Sequence, residues 1–194
     1  MCFEDILYLF HSDRSNRKFI RLNLLESGAL FKVAQKSIGN ILEIGSRYGG
    51  SATLLSAAIG NDRKVFSIDI VHPSSTDYGK RLISRADPNL LSKIEFITCE
   101  SVSLSNTWDR GQFGLIFIDA KHTPKAVSAD ISAWKPFLSA NGYMIFHDIG
   151  ENRGHPNPKW KKIRKLLERT VNKKLKDEFT KVDHVETLAI FQKN

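Results

Sequence analysis

The acids and histidines of this chain that could do chemistry stand at the ends of apolar runs. Ile68-Asp69-Ile70 closes one run, Ile118-Asp119-Ala120-Lys121-His122 a second, and Ile145-Phe146-His147-Asp148 a third. A fourth run, Ile41-Leu42-Glu43-Ile44, leads into Gly45-Ser46-Arg47-Tyr48-Gly49-Gly50-Ser51 and then an Ala/Leu-rich stretch from Ala52. A short apolar run, a glycine turn and helix-forming sequence read as strand, turn and helix. Such a turn gathers unbonded backbone N–H groups at the positive end of a helix dipole, where a ligand carrying negative charge or a carboxylate is held. Gly45 and Gly49 let the backbone turn sharply and approach a ligand closely. Asp69 falls 24 positions after Gly45, where a nucleotide-binding unit places the acid that receives ribose hydroxyls. The glycines alone are weak, because Arg47 and Tyr48 stand where G-x-G-x-x-G has its second glycine. A strand-end cap is the structural alternative for Asp69.

These residues need elements to position them. Lys64 to Ile70, Lys93 to Thr98, Gly114 to Asp119 and Tyr143 to Asp148 read as further strands. Residues Phe19 to Lys36 carry apolar residues at helical spacing and are expected to form one or two helices, broken at Ser27-Gly28. A mixed helix is expected from Tyr78 to Arg85. Another is expected from Pro124 to Leu138, with Pro124 in its first turn and Val127, Ile131, Trp134 and Leu138 as its buried stripe. Ala140-Asn141-Gly142 is its stop signal. Glu178 to Val185 and Thr187 to Gln192, joined by almost no loop, should form an antiparallel hairpin at the sheet edge. Strands that alternate with helices imply an α/β fold of the Rossmann-like, doubly wound kind. The expected sheet is seven-stranded and mostly parallel with an antiparallel last strand, has helices on both faces, and binds ligands beyond the carboxyl ends of its strands.

Composition narrows the class. With 194 residues, 41% hydrophobic and 26% charged, the chain suits one ordinary globular domain. Its expected organisation is an N-terminal helical segment, 1–38, packed on a core domain, 39–194. Cys2 and Cys99 are far apart and form no C-x-x-C, which argues against a disulfide framework and for a reducing cytoplasm. Met1 to Phe10 holds Glu4 and Asp5 and is too short to span a bilayer, so no membrane association is expected. The net charge of +8 matches the excess of nine bases over Glu168 between Lys159 and Lys176. There Trp160, Ile163, Leu167 and Val171 make an apolar stripe, so the bases form the wet face of an amphipathic helix, or a surface for nucleic acid.

Glu43-Ile-Gly-Ser-Arg-Tyr-Gly-Gly-Ser51, Ile68-Asp-Ile70, Phe117-Ile-Asp-Ala-Lys-His122 and Gly142-Tyr-Met-Ile-Phe-His-Asp148 together resemble the class I S-adenosylmethionine-dependent methyltransferases. Within them the chain is most similar to the small-molecule O-methyltransferases of the catechol, macrocin and cephalosporin-hydroxylase-like groups. The resemblance covers about Gly39 to Phe191. It implies that Glu43 meets the methionine ammonium, directly or through water. Gly45, Ser46, Arg47 and Gly49 would lie along the methionine and ribose, and Ser51 would hold the methionine carboxylate. It further implies that Asp69 receives the ribose hydroxyls, that Ile70 lies on the adenine face, and that Glu100 and Ser101 read the adenine edge.

For the acceptor, the resemblance implies a divalent cation, Mg²⁺ or Mn²⁺, held by Asp119, His147 and Asp148. His147-Asp148 replaces the family's two acids, and the imidazole shifts preference from Mg²⁺ toward Mn²⁺, Fe²⁺ or Zn²⁺. Asp119 and His122 are the expected catalytic residues, His122 taking the proton of a small-molecule hydroxyl. Arg153 and His155, in the polar stretch from Ile149 to Pro158, point to a polar or anionic acceptor such as a sugar. Two other readings stand beside this one: a nucleic-acid methyltransferase using the basic helix, and a nucleotide-binding module without activity or a nicotinamide dehydrogenase. A homodimer through the N-terminal helices is a further expectation.

Overall fold

The computed structural model describes residues 1–10, 19–150 and 158–194. Arg153 and His155 lie outside the described residues. After a 3₁₀ turn at Glu4–Phe10 come α1 (Leu24–Lys36), β1 (Asn40–Ile44), α2 (Gly50–Ala58), β2 (Val65–Asp69), α3 (Asp77–Ile83), α4 (Pro88–Leu91), β3 (Ile94–Thr98), α5 (Ser101–Ser105) and β4 (Phe113–Ile118). The chain continues through α6 (Pro124–Trp134), β5 (Leu138–Phe146), α7 (Pro158–Leu175), β6 (Phe179–Val185) and β7 (Leu188–Lys193).

The seven strands form one sheet in the order β3-β2-β1-β4-β5-β7-β6. The first five run parallel, and β7 enters antiparallel between β5 and β6. Alternate strand residues serve two cores, as a pleated strand requires. Ile41, Leu115 and Phe117 pack with Leu30, Phe31, Leu54 and Leu55 of α1 and α2. Leu42, Ile116 and Ile118 pack with Trp134 of α6 and with Leu167, Val171 and Leu175 of α7. The doubly wound architecture expected from the strand–helix alternation is the one observed.

Two local expectations are corrected. First, α1 runs unbroken through Ser27-Gly28. A glycine inside a helix costs about 1 kcal/mol. Here Asn23 and Glu26 form a reciprocal capping box at the helix start, and Leu30, Phe31 and Ala34 are buried beyond it, which outweighs that cost. Second, α6 stops at Trp134, and Lys135–Phe137 tightens to a 3₁₀ turn. Pro136 has no N–H to continue the helix. Leu138 therefore opens β5, pairing with Phe113, and the Ala140-Asn-Gly stretch makes an irregularity within that strand, with Asn141 at φ 58°. Short α5, capped by the Glu100 side chain, was not foreseen from the sequence.

Candidate active site

The parallel ladder continues one residue past each central strand and so aligns the strand tips. Gly45 N–H donates to Ile68 C=O at 2.8 Å, Asp119 N–H to Ile44 C=O at 2.9 Å, and His147 N–H to Ile118 C=O at 3.2 Å. The glycine turn, Asp69, Asp119, His122, His147 and Asp148 consequently line one cavity of about 1370 Å³ beyond the carboxyl edge of the sheet. Gly45 has φ 109°, and a Cβ there would run into the carbonyl of Asp119. Only glycine fits between two strand tips this close.

The turn is held from below and from the side. Arg47, at φ 45°, donates its backbone N–H to Asp69 Oδ2 at 2.8 Å. Gly49 caps α2 in the left-handed conformation without a side-chain hydrogen bond, and Gly50 and Ser51 of that first turn line the cavity. The N-terminal donors of α2 are thus available to an anion. Ile70 is 72% exposed on the wall, offering an apolar face.

Glu43 is placed differently from its neighbours. It is fully buried behind the cavity wall, Oε2 accepting from the Ser67 hydroxyl, which also bonds Ser46 Oγ at 2.6 Å. Oε1 has no hydrogen-bond partner. Burial, reinforced by the charges of Asp119 and Asp69, pushes this carboxyl up to about 7, although the Ser51 and Ser67 hydroxyls favour its charged form. Ser46, which does line the cavity, connects it to Glu43 through Ser67. Glu100 and Ser101 also line the cavity, but their side chains serve the protein. Glu100 accepts from Ser103 N–H at 2.7 Å, and the Ser101 hydroxyl accepts from Trp134 Nε1–H at 2.8 Å.

On the other side of the turn, four side chains converge. Asp119 Oδ1 lies 3.0 Å from His147 Nδ1 and 3.3 Å from His122 Nε2, and His122 Nε2 lies 3.2 Å from Asp148 Oδ2. Asp148 adopts φ 57°, a conformation uncommon outside glycine, which aims its carboxylate inward. Burial raises the Asp119 carboxyl, but hydrogen bonds and charge from His122 and His147 outweigh this and hold it at about 2. Burial likewise lowers the His147 imidazole, yet Asp119, Glu26 and Asp148 raise it to about 10.

Two residues of this site, Glu26 and Arg164, were not picked out in the sequence. Glu26 in α1 is buried; its Oε2 stands 3.5 Å from His147 Nε2, and its Oε1 accepts the N–H and hydroxyl of Thr187 at 3.0 and 2.6 Å. Burial raises its carboxyl, but the hydrogen bonds of His147, Thr187 and Asn23 bring it to about 2. Arg164, 7% exposed, donates through Nη2 and Nε to Asp148 Oδ1 at 2.6 and 3.1 Å. One signal for Arg164 was available: it falls on the apolar stripe of the basic helix, between Trp160 and Leu167. Asn23-x-x-Glu26 is likewise a capping-box signature, though nothing in it reveals the reach to His147.

A doubly wound sheet with a glycine turn after its first strand and acids at the next tips defines an α/β protein with a cavity at the carboxyl ends of its strands, where such folds take their ligands. The chain belongs to the methyltransferase-domain family, whose model, described as Methyltransferase domain, matches residues 42–149, over half of its length. It is 29% identical over 124 residues to the rhamnosyl O-methyltransferase of Mycobacterium leprae, covering 60% of this chain and 50% of that protein. The chain thus spans about half the length of the curated relatives it matches. Among solved structures, its fold matches the O-methyltransferase TomG from Streptomyces achromogenes, in complex with S-adenosylmethionine, with TM-score 0.67 and 16% identity, covering 93% of this chain and 86% of that one. It also matches an O-methyltransferase from Bacillus cereus bound to S-adenosylhomocysteine, with TM-score 0.64 and 18% identity, covering 89% and 82%. No helix among the described residues is long and apolar enough to cross a membrane.

Proposed function

We propose that this chain binds S-adenosylmethionine and transfers its methyl group to a hydroxyl of a small acceptor, a sugar hydroxyl in the first instance. The observation that carries the reading is a single cavity lined at one end by the glycine turn with Asp69 and at the other by Asp119, His122, His147 and Asp148. Two features of the protein suit the cofactor: the buried, unpartnered Glu43 Oε1 behind the wall and the uncapped start of α2. In this reading Asp69 receives the ribose hydroxyls, Ile70 covers an adenine face, and Glu100 and Ser101 border its edge. Gly45, Ser46, Arg47 and Gly49 follow the methionine and ribose, while Ser51 and the α2 N–H groups hold the carboxylate. Glu43 acts on the ammonium through Ser67, Ser46 or water. S-adenosylmethionine supplies an already reactive methyl on a cationic sulfur, so the protein's task is alignment and removal of the acceptor proton.

The four-residue cluster is where that proton is lost. Asp119, His147 and Asp148 would hold a divalent cation there, which supplies Lewis acidity and lowers the pKa of the acceptor hydroxyl. The rhamnosyl O-methyltransferase relatives support a sugar acceptor. The test is calorimetric titration with S-adenosylmethionine and with NAD, followed by transfer of labelled methyl to a rhamnoside. Binding of S-adenosylmethionine that Asp69→Ala weakens at least tenfold is expected; binding of NAD in its place would overturn the reading.

A further inference from the structure

The cluster at the strand tips gathers four potential metal-donor atoms in one place. Asp119 Oδ1, His122 Nε2, Asp148 Oδ2 and His147 Nδ1 close a ring whose successive edges are 3.3, 3.2, 3.9 and 3.0 Å. One donor atom from each of the four residues lies within 4.8 Å of the others. Two donors bound at about 2.1 Å to a shared ion stand about 3.0 to 3.4 Å apart, for bond angles between 90° and tetrahedral. Three of the four edges fall in that range. Each edge joins an imidazole nitrogen to a carboxylate oxygen, and the like pairs across the ring, two carboxylates and two imidazoles, also lie within 4.8 Å, a crowding of like groups that a shared cation relieves.

The far side of two of the four is occupied by partners that orient it. His147 presents Nδ1 to the ring and Nε2 to Glu26 Oε2 at 3.5 Å. Glu26 is itself fixed by Asn23 N–H at 3.0 Å and by both donors of Thr187. Asp148 presents Oδ2 to the ring and Oδ1 to Arg164. A ligating histidine whose other nitrogen meets a carboxylate, and a ligating carboxylate whose other oxygen is hydrogen-bonded, are the usual outer supports of a metal site.

We propose that His122 is a metal ligand rather than the proton acceptor. With Asp119, His147 and Asp148 it completes a two-imidazole, two-carboxylate site selective for Mn²⁺, Fe²⁺, Co²⁺ or Zn²⁺ over Mg²⁺. The inference rests on the methyl-transfer reading for the ion's use, not for its binding. Mg²⁺ prefers all-oxygen octahedral surroundings and releases water reluctantly, so two imidazoles disfavour it. The Arg164 guanidinium beside Asp148 offsets part of the carboxylate charge on which a hard, weakly polarisable ion such as Mg²⁺ depends most.

The chelator-treated protein is titrated with Co²⁺ and with Mg²⁺, reading heat and the visible d–d absorption of Co²⁺, and the Mn²⁺-loaded protein is read by pulsed EPR for imidazole nitrogen. Expected are Co²⁺ binding at least 100-fold tighter than Mg²⁺, two coupled imidazoles, and a loss of at least tenfold in Co²⁺ affinity for both His122→Ala and His122→Gln. Glu26→Gln, which keeps the size of the side chain but removes its charge and one of its two acceptor oxygens, should cost about tenfold. S-adenosylmethionine affinity of the His122 variants reports whether they remain folded. Equal affinity for Mg²⁺ and Co²⁺, a single coupled imidazole, or folded His122 variants with unchanged Co²⁺ affinity would overturn the proposal. Failure of S-adenosylmethionine to bind a protein that still takes Co²⁺ would instead overturn the methyl-transfer reading.

Discussion

In the proposed function, Glu43 ties ligand binding to pH. Its carboxyl is pushed up to about 7 chiefly by burial, against an ordinary value near 4.5. The folded protein therefore holds a proton there that the unfolded chain has released over the window between those two values. More protons bound in the folded state means that stability falls as pH rises through that window, by about 3 kcal/mol in all. A cationic ammonium nearby favours the charged carboxylate, so affinity for S-adenosylmethionine should rise over the same interval, with about one proton released on binding. Calorimetry in buffers of different ionisation heat, from pH 5 to 8, measures this directly. In Glu43→Gln both pH slopes should flatten. Slopes unchanged from the wild type would show that another group titrates.

Among the elements, α1 and the β6–β7 hairpin are joined at Glu26, which meets Thr187 across 161 positions of sequence. That carboxylate simultaneously caps α1, satisfies the hairpin turn and supports His147. Glu26→Ala removes a cap and leaves the buried donors of Thr187 unpaired. It should lower unfolding stability by about 2 to 4 kcal/mol, read as a shift in the urea midpoint at unchanged slope. Glu26→Gln keeps the Asn23 Oδ1 half of the cap and one acceptor oxygen for Thr187 while losing the acceptor for Asn23 N–H, so it should lose less. Equal losses for the two variants would mean that charge rather than hydrogen bonding governs the junction. α7 has a comparable double role: Arg164 points into the site while Lys162, Lys165, Arg169 and Lys173 are exposed on the helix.

At the scale of the whole molecule, the net charge of +8 is matched by the bases between Lys159 and Lys176, several of which are exposed on α7 while Arg164 turns inward. If these bases form a solvated face, RNA should be retained only at low ionic strength and released near 0.15 M salt, where exposed charges are screened beyond about 8 Å. A gel-shift series across salt concentration checks it, and retention at 0.15 M would revive the nucleic-acid reading. The order of strands and helices was legible because short apolar runs, glycine turns and proline starts are local signals. The continuous α1 was not, since Ser27-Gly28 is locally a break and only the cap and burial around it decide otherwise. Nor was the early start of β5, where Pro136 ended the helix before its apolar stripe did.

The sequence alone determined the glycine turn, the acid after the second strand and the polar pairs at the later tips, because each depends on neighbours a few residues away. Tertiary structure decided which atoms those groups share. Glu43 was drawn behind the wall, His122 was set between two carboxylates, and Glu26 and Arg164 entered the site from the two ends of the chain. Such partnerships are made by packing helices on opposite faces of the sheet, and no periodicity along the chain encodes which distant side chains will meet.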